Sequence, residues 1–217
     1  MAISTRREVT RQRLLDAAVG LIADQGFTAT TVDQIAERAG VAKGTVYYNF
    51  RSKAALFSTL LEYGIERMAS RLREAADLDV PQPPASPGPT EAPYGTRGGT
   101  PGPLGALESV VGAELAFIGE HEAFARLLIA ETWRAGGDWQ QAARLVRERA
   151  VGVIAEILRS AVARGDLRAD LDTEMAASAV FGMVLTVALD WRALQPARPL
   201  AEIHATLMDL LRGRLTG

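Results

Sequence analysis

An all-α fold, with a short helical unit in front of a larger helical bundle, is the class this sequence predicts. Three observations lead there. Apolar residues recur at spacings of three and four through both parts of the chain, no stretch alternates apolar and polar residues as a strand would, and Gly or Pro punctuates the periodic segments. The chain has 217 residues, 48% of them apolar, enough for one or two cores. It contains no cysteine, which excludes thiolate catalysis, zinc–thiolate sites and a disulfide scaffold, and suits a reducing compartment. The longest uncharged apolar run, Met175 to Leu189, is shorter than the ~18–20 residues of a membrane span, and the N-terminus lacks a signal-peptide core. The expectation is therefore a soluble cytoplasmic protein.

Taken in order, Leu14, Leu15, Ala18, Leu21 and Ile22 mark a first helix from Thr10 to Gly26, where glycine supplies a left-handed stop. Thr31-Val-Asp-Gln34 has the form of a capping box, and Gly40 closes the short second helix that carries Ile35, Ala36 and Ala39. A third segment runs from Ala42 to Asn49, after which Ser52 caps a long helix through Leu56, Leu60, Tyr63, Arg67 and Arg71 to about Asp77. Residues 78–103 hold eight of the ten prolines and five glycines, the composition of a disordered linker or mobile loop. Beyond it, helical patterns occupy Leu104 to Gly119, His121 to Ala135, Asp138 to Arg164, Asp172 to Leu194 and Leu200 to Leu215. The expected organisation is a helix-turn-helix unit at 1–55, a connecting helix at 56–77, the linker at 78–103 and a regulatory domain at 104–217.

The formal charge of −2 conceals a split: residues 1–53 hold eight Lys/Arg against five acids, the remainder 16 against 21. Helix starts ordinarily favour acids, because their exposed N–H groups act as a partial positive charge. Here Arg11 and Arg13 open the first helix, Lys43 the third and Lys53 the fourth, as if an outside anion approached these ends. Within the third segment, Val46 and Phe50 share an inward face with Val41, leaving Lys43, Gly44, Thr45, Tyr47 and Tyr48 outside. Glycine costs a helix roughly 1 kcal/mol relative to alanine, so Gly44 points to close approach of another backbone. Two short helices joined by a turn at Gly40 have the dimensions of a helix-turn-helix that enters a major groove. A two-fold dimer would read two half-sites.

In the helix from Asp172, Ala176, Val180, Met183 and Val187 form one apolar stripe, while Ala177, Phe181, Leu185 and Ala188 form another. One stripe serves the core. The first, with Leu207, Leu210 and Leu211 of the last helix, is the candidate dimer face; burial within one chain is the alternative. Phe117, Phe124, Trp133, Trp139, Phe181 and Trp191, with Glu114, Arg126 and Glu131, would suit a pocket for an apolar or amphipathic ligand, although core packing accounts for the aromatics equally well. His121 reads as a helix-start residue and His204 as an interface or surface residue. His121-Glu122-Ala-Phe-Ala125 lacks the second histidine of a zinc motif, and the glycines at 95–102 sit outside any phosphate loop. No enzyme, metal site or cofactor is expected.

Gly26-Phe27, Thr30-Thr31-Val32, Ile35-Ala36, the run Ala39 to Phe50, and Ser52-Lys53-Ala-Ala-Leu56 resemble the DNA-binding domain of the tetracycline-repressor (TetR) family, ungapped over about residues 9–62. The resemblance implies a homodimeric bacterial transcription regulator, usually a repressor, bound to a double-stranded DNA operator and released by a small molecule held in its C-terminal helical domain. It also implies that Lys43, Thr45 and Tyr47 meet base edges or nearby backbone, that Thr31, Tyr48 and Lys53 hold phosphates, and that Phe117, Trp133, Phe181 and Leu185 line the effector pocket. Ala42 departs from the serine often found at that place, and the linker is longer and richer in proline than is usual in the family. Two alternatives remain open: an activator, or a helical interaction protein with a basic N-terminal face.

Overall fold

A computed structural model describes residues 2–76, 102–132 and 143–215, with side chains placed for 7–76, 102–129 and 143–213. Residues 78–101 of the expected linker and the stretch at 133–142, which includes Trp133 and Trp139, lie outside the described residues, as does the side chain of Glu131; Gly102 and Pro103, expected in the linker, cap and open α5. Among the described residues there is no strand. The helices are α1 (Ala2–Ala29), α2 (Val32–Ala39), α3 (Lys43–Asn49), α4 (Lys53–Ala75), α5 (Pro103–Glu120), α6 (Glu122–Thr132), α7 (Gly152–Ala163), α8 (Thr173–Leu194) and α9 (Leu200–Leu215). A wide π-helical turn, Arg147–Val151, leads into α7.

Local chemistry accounts for most of the boundaries. The Thr31 hydroxyl accepts from Gln34 N–H at 3.2 Å while Gln34 Oε1 accepts from Thr31 N–H at 2.8 Å, completing the capping box. Gly40, at φ 63° and ψ 42°, closes α2 in the left-handed conformation. Ser52 Oγ accepts from Ala55 N–H at 3.0 Å and opens α4. Asp172 opens α8 in the same way through Met175 N–H.

At the first helix the expectation needs two corrections. It begins at Ala2, not Thr10; Arg7, Glu8 and Val9 are exposed, so this part of the helix has no buried stripe to register as periodicity. Arg11 and Arg13 consequently lie inside a helix and meet no helix N-terminus. Gly26 does turn the chain, but at φ 83° and ψ 160°, a positive-φ kink accessible to glycine and distinct from a left-handed cap. Beyond the kink, Thr30 donates through both its N–H (3.2 Å) and its hydroxyl (2.9 Å) to the Gly26 carbonyl.

α5 sits at the centre of the bundle, in contact with α4, α6, α7, α8 and α9. Val110, Val111, Leu115 and Ile118 on this helix are buried, as are Leu56, Leu60, Ile65, Met68 and Leu72 on α4. The N-terminal unit joins the same core, because α1 packs on α6 and on α4. Arg126 of α6 donates to the Ala23 carbonyl at 2.8 Å, a polar tie across that junction.

Among the described glycines, the closest approach is at Gly64, where α4 meets α6. A Cβ added at Gly64 would fall 2.1 Å from Cε2 of the buried Phe124 ring, which itself stands edge-on to Phe117. Gly64→Ala is expected to lower the unfolding free energy by ~1–3 kcal/mol through overpacking, read from urea midpoints at constant slope. Phe124→Leu added to it should recover much of the loss; a fully stable Gly64→Ala chain would show that this contact does not set the helix spacing.

Candidate nucleic-acid interface

The α2–turn–α3 unit is held from behind by its apolar face. Val46 and Phe50 are buried and Val41 is half-buried, as their spacing predicts. The opposite face of α3 is open: Lys43, Gly44, Tyr47 and Tyr48 are exposed, the tyrosines at 49% and 74%. No atom lies within 4 Å of a Cβ built on Gly44, so the missing side chain satisfies no packing need of the chain itself. Thr45 is half-exposed at the first turn, its N–H donating to the Ala42 carbonyl at 2.8 Å.

The structure divides the cations expected near DNA into two sets. Lys43 remains at the surface, bridging α3 to Asp33 of α2 at 2.8 Å; the hydrogen bond and charge of Asp33 hold its ammonium above the usual lysine range. Three N–H groups belong to an ammonium and Asp33 takes one direction of approach, so Lys43 is oriented as well as charged. Lys53 is instead turned inward. Its Nζ donates to the carbonyls of Phe27 (2.6 Å), Thr30 (2.7 Å) and Thr28 (3.4 Å) and lies 4.3 Å from the Phe27 ring centre. Lys53 therefore binds the first turn of α4 to the α1–α2 junction, a role its position after a cap did not disclose. Arg13 similarly donates to the Ala39 carbonyl at 2.6 Å, and the Arg11 guanidinium lies 4.7 Å from the Phe50 ring centre. Thr31 is exposed, but its hydroxyl proton points to Gln34 Oε1 at 3.0 Å. Arg7 was not singled out from sequence; it stands over the Tyr48 ring at 5.5 Å, on the open side of the unit.

Of the residues expected around an effector, Phe117, Phe181 and Leu185 belong to the bundle core, while Trp133 lies outside the described residues. Phe117 is buried and stacks on His121, ring centres 4.4 Å apart, while Phe181 and Leu185 are buried in the core. A cavity of about 460 Å³ lies between α4 and the residues entering α7, lined by Thr59, Glu62, Tyr63, Ile65, Glu66, Leu145 and Arg149. Thr59, Glu62, Tyr63 and Glu66 recur at three and four on a polar side of α4 that apolar periodicity does not mark. Burial alone would raise the Glu66 pKa, but hydrogen bonds and charge from Arg149 and Arg73 outweigh it and hold the carboxyl below its usual value.

The candidate dimer residues are split as well. Val180, Leu207 and Leu211 are buried within the single chain and cannot form an open face, because α8 and α9 turn those side chains toward α5 and one another. Ala176, Met183 and Val187 are half-buried, while Leu210 is 58% exposed. The open side of α8 runs instead through Met175 (67% exposed), Ala179, Gly182, Met183 and Thr186. His204 reaches the Glu108 carbonyl at 2.9 Å and packs α9 on α5; His121 lies between α5 and α6 with Nδ1 3.1 Å from the Phe117 carbonyl.

Glu114, on α5, is wholly buried, and neither carboxylate oxygen has a hydrogen-bond partner among the described residues. An unsatisfied buried polar group costs ~1–3 kcal/mol. Burial pushes its pKa well above the ordinary 4.5. Among the described residues no cluster of acids and histidines could hold a metal ion.

Two measurements follow from this geometry. Gly44→Ala should raise stability by ~0.5–1 kcal/mol through helix propensity while weakening DNA binding, since the added methyl meets no protein atom; unchanged DNA affinity would mean that no backbone approaches α3 there. For Glu114, the folded chain retains a proton that the unfolded chain releases above about 4.5, so this group makes stability fall as pH rises through the interval up to its folded pKa. Glu114→Gln should flatten that part of the pH–stability curve, and a curve superimposable on that of the wild type would refute the burial effect.

Residues 14–60 match the bacterial regulatory proteins of the tetR family, and residues 106–206 match the C-terminal domain of AefR-like transcriptional repressors. The HTH-type transcriptional regulator AcrR of Shigella flexneri is 42% identical over 64 residues, 29% of this chain and 30% of that protein. The HTH-type transcriptional regulator UidR of Escherichia coli strain K12 is 25% identical over 218 residues, 99% of this chain and 97% of that one. Among solved structures, the transcriptional regulator FadR of Bacillus subtilis in complex with stearoyl-CoA has a TM-score of 0.72 at 20% identity, covering 92% of this chain and 96% of the other. This last likeness establishes the fold.

Proposed function

Because the chain belongs to the tetR family of bacterial regulatory proteins, we propose that it is a dimeric, sequence-specific DNA-binding repressor, released from a pseudo-palindromic operator by a small apolar or amphipathic effector. The observation that carries this reading is the open face of α3. Lys43, Tyr47 and Tyr48 stand out on a helix anchored by Val46 and Phe50, with clear space over Gly44. Such a helix fits a major groove, where the lysine and the tyrosine hydroxyls can meet base edges while the close backbone allows phosphate contact. Thr45 and Tyr47 are assigned to the bases with Lys43; Tyr48 and Arg7 are assigned to the phosphates. Lys53 and Arg13 act first as fixtures that set the angle of the reading unit, and any phosphate contact they make is secondary.

A second copy docks on the exposed stripe of α8. By length and composition this helix could cross a membrane, yet its other side packs against α5, α6, α7 and α9. Met175, Ala179, Gly182, Met183 and Thr186, with Leu210 of α9, form the uncovered side, and the small residues permit close approach of two helices. The effector site lies in the bundle and acts through α4, which carries Lys53 at one end and the Glu66–Arg149 pair further along. A ligand favouring one setting of α4 shifts the population of reading-unit positions, and ~1.4 kcal/mol of differential binding is tenfold in operator affinity. A structural neighbour, FadR of Bacillus subtilis, is solved in complex with an amphipathic molecule, stearoyl-CoA.

Sequencing of genomic fragments retained by the purified protein tests the reading: the expected result is one motif with two inverted half-sites, bound with steep salt dependence yet resisting excess random DNA. Recovery of unrelated fragments with no shared motif would overturn it. Tyr47→Ala should relax sequence preference without loss of stability, whereas Lys53→Met should lower the unfolding midpoint. Gly182→Arg introduces a side chain that the isolated subunit accommodates, since no atom lies within 4 Å of its Cβ. It should sediment as a helical monomer with at least about tenfold weaker operator binding; an intact dimer would place the interface elsewhere.

A further inference from the structure

Glu114 has no structural task that an aliphatic residue would not perform better. It lies on the central helix of the bundle, with Val110, Val111, Phe117 and Ile118 one turn to either side along α5, all buried. No N–H or O–H among the described residues reaches either of its oxygens. A dry carboxyl of this kind can be satisfied by accepting hydrogen bonds from a cation or by donating one to a neutral acceptor. The formal charge of the chain beyond the reading unit favours the first. Residues 54–217 carry 16 Lys/Arg against 21 Asp/Glu, an excess that attracts cations and repels anions.

We propose that Glu114 is the recognition carboxylate of the effector site, and that the effector is a lipophilic ammonium whose apolar body enters the bundle core while its N–H groups bond to Glu114. The inference rests on the effector-released repressor proposed above and specifies its ligand class. An ammonium supplies both the missing donors and the countercharge; its binding releases to solvent the proton that burial keeps on Glu114, and the apolar body replaces core contacts displaced on entry. By the same argument the site disfavours a polyanionic acyl-CoA, unlike the structural neighbour solved with stearoyl-CoA.

Dodecylammonium, dodecanol and stearoyl-CoA, each below its micellar concentration, test the assignment on the full chain. Two readouts are needed: thermal unfolding, which reports binding, and anisotropy of labelled operator DNA, which reports release. Dodecylammonium should raise the unfolding midpoint of the wild type, with at least about tenfold preference over dodecanol. Glu114→Gln and Glu114→Leu should need at least about tenfold more dodecylammonium for the same shift, each measured against its own ligand-free midpoint. Glu114→Leu should be at least as stable as the wild type, so that its loss of response is not a loss of folding. The assignment is overturned if dodecylammonium leaves the wild type unchanged, or acts equally on wild type and both variants, or is matched by dodecanol. Release of DNA by dodecanol or stearoyl-CoA from wild type and variants alike would preserve effector control and refute Glu114. Selective stabilisation by dodecylammonium with no effect on DNA would support the Glu114 site and remove its coupling to the reading unit.

Discussion

α4 is buried along one side for most of its length, and the placement of every functional surface depends on that packing. Leu56, Phe57, Leu60 and Leu61 lie in its first half, and Ile65, Met68 and Leu72 in its second. The first half meets α1, the second α5. Because both ends of one helix are embedded, the reading unit and the bundle cannot change their relation without moving a common core. Packed interiors resist continuous deformation, so such a unit has a small number of discrete settings.

Polar ties at the two ends refine that constraint. Lys53 gathers three carbonyls from the α1–α2 junction, and Arg126 attaches α6 to the C-terminal part of α1. Further along α4, Glu66 is shared by Arg73 and Arg149. Partly exposed ion pairs contribute little stability, a median of ~0–1 kcal/mol. Their consequence here is geometric: they fix the angles at which helices leave the core, and a switch can exchange them at small cost.

The reading unit and the bundle also treat polarity differently. On α3 the exposed lysine and tyrosines stand over empty space, as a surface does when its partner is external. In the bundle a carboxyl is wholly buried, with no hydrogen-bond partner among the described residues. Each departs from what an isolated domain would choose, and each lies at a position for which recognition is proposed. Local and global preferences conflict most where function requires it.

The sequence by itself determined the helical class, the capping of α2 at Thr31–Gln34 and Gly40, the start of α4 at Ser52, and the inward set Val46 and Phe50 that leaves Lys43, Tyr47 and Tyr48 outside. These are legible because caps and apolar periodicity act between residues at most four apart. The tertiary structure alone decided that α1 begins at Ala2, that Lys53, Arg13 and Arg11 face their own chain, that Val180, Leu207 and Leu211 are interior, and that Glu114 is without a partner among the described residues. A long cationic side chain can reach either solvent or a distant carbonyl from the same position. An apolar stripe carries no mark of which element will cover it. Both outcomes depend on the approach of segments far apart in the chain, such as Lys53 with Phe27 or His204 with Glu108, and spacing along one helix contains no information about that approach.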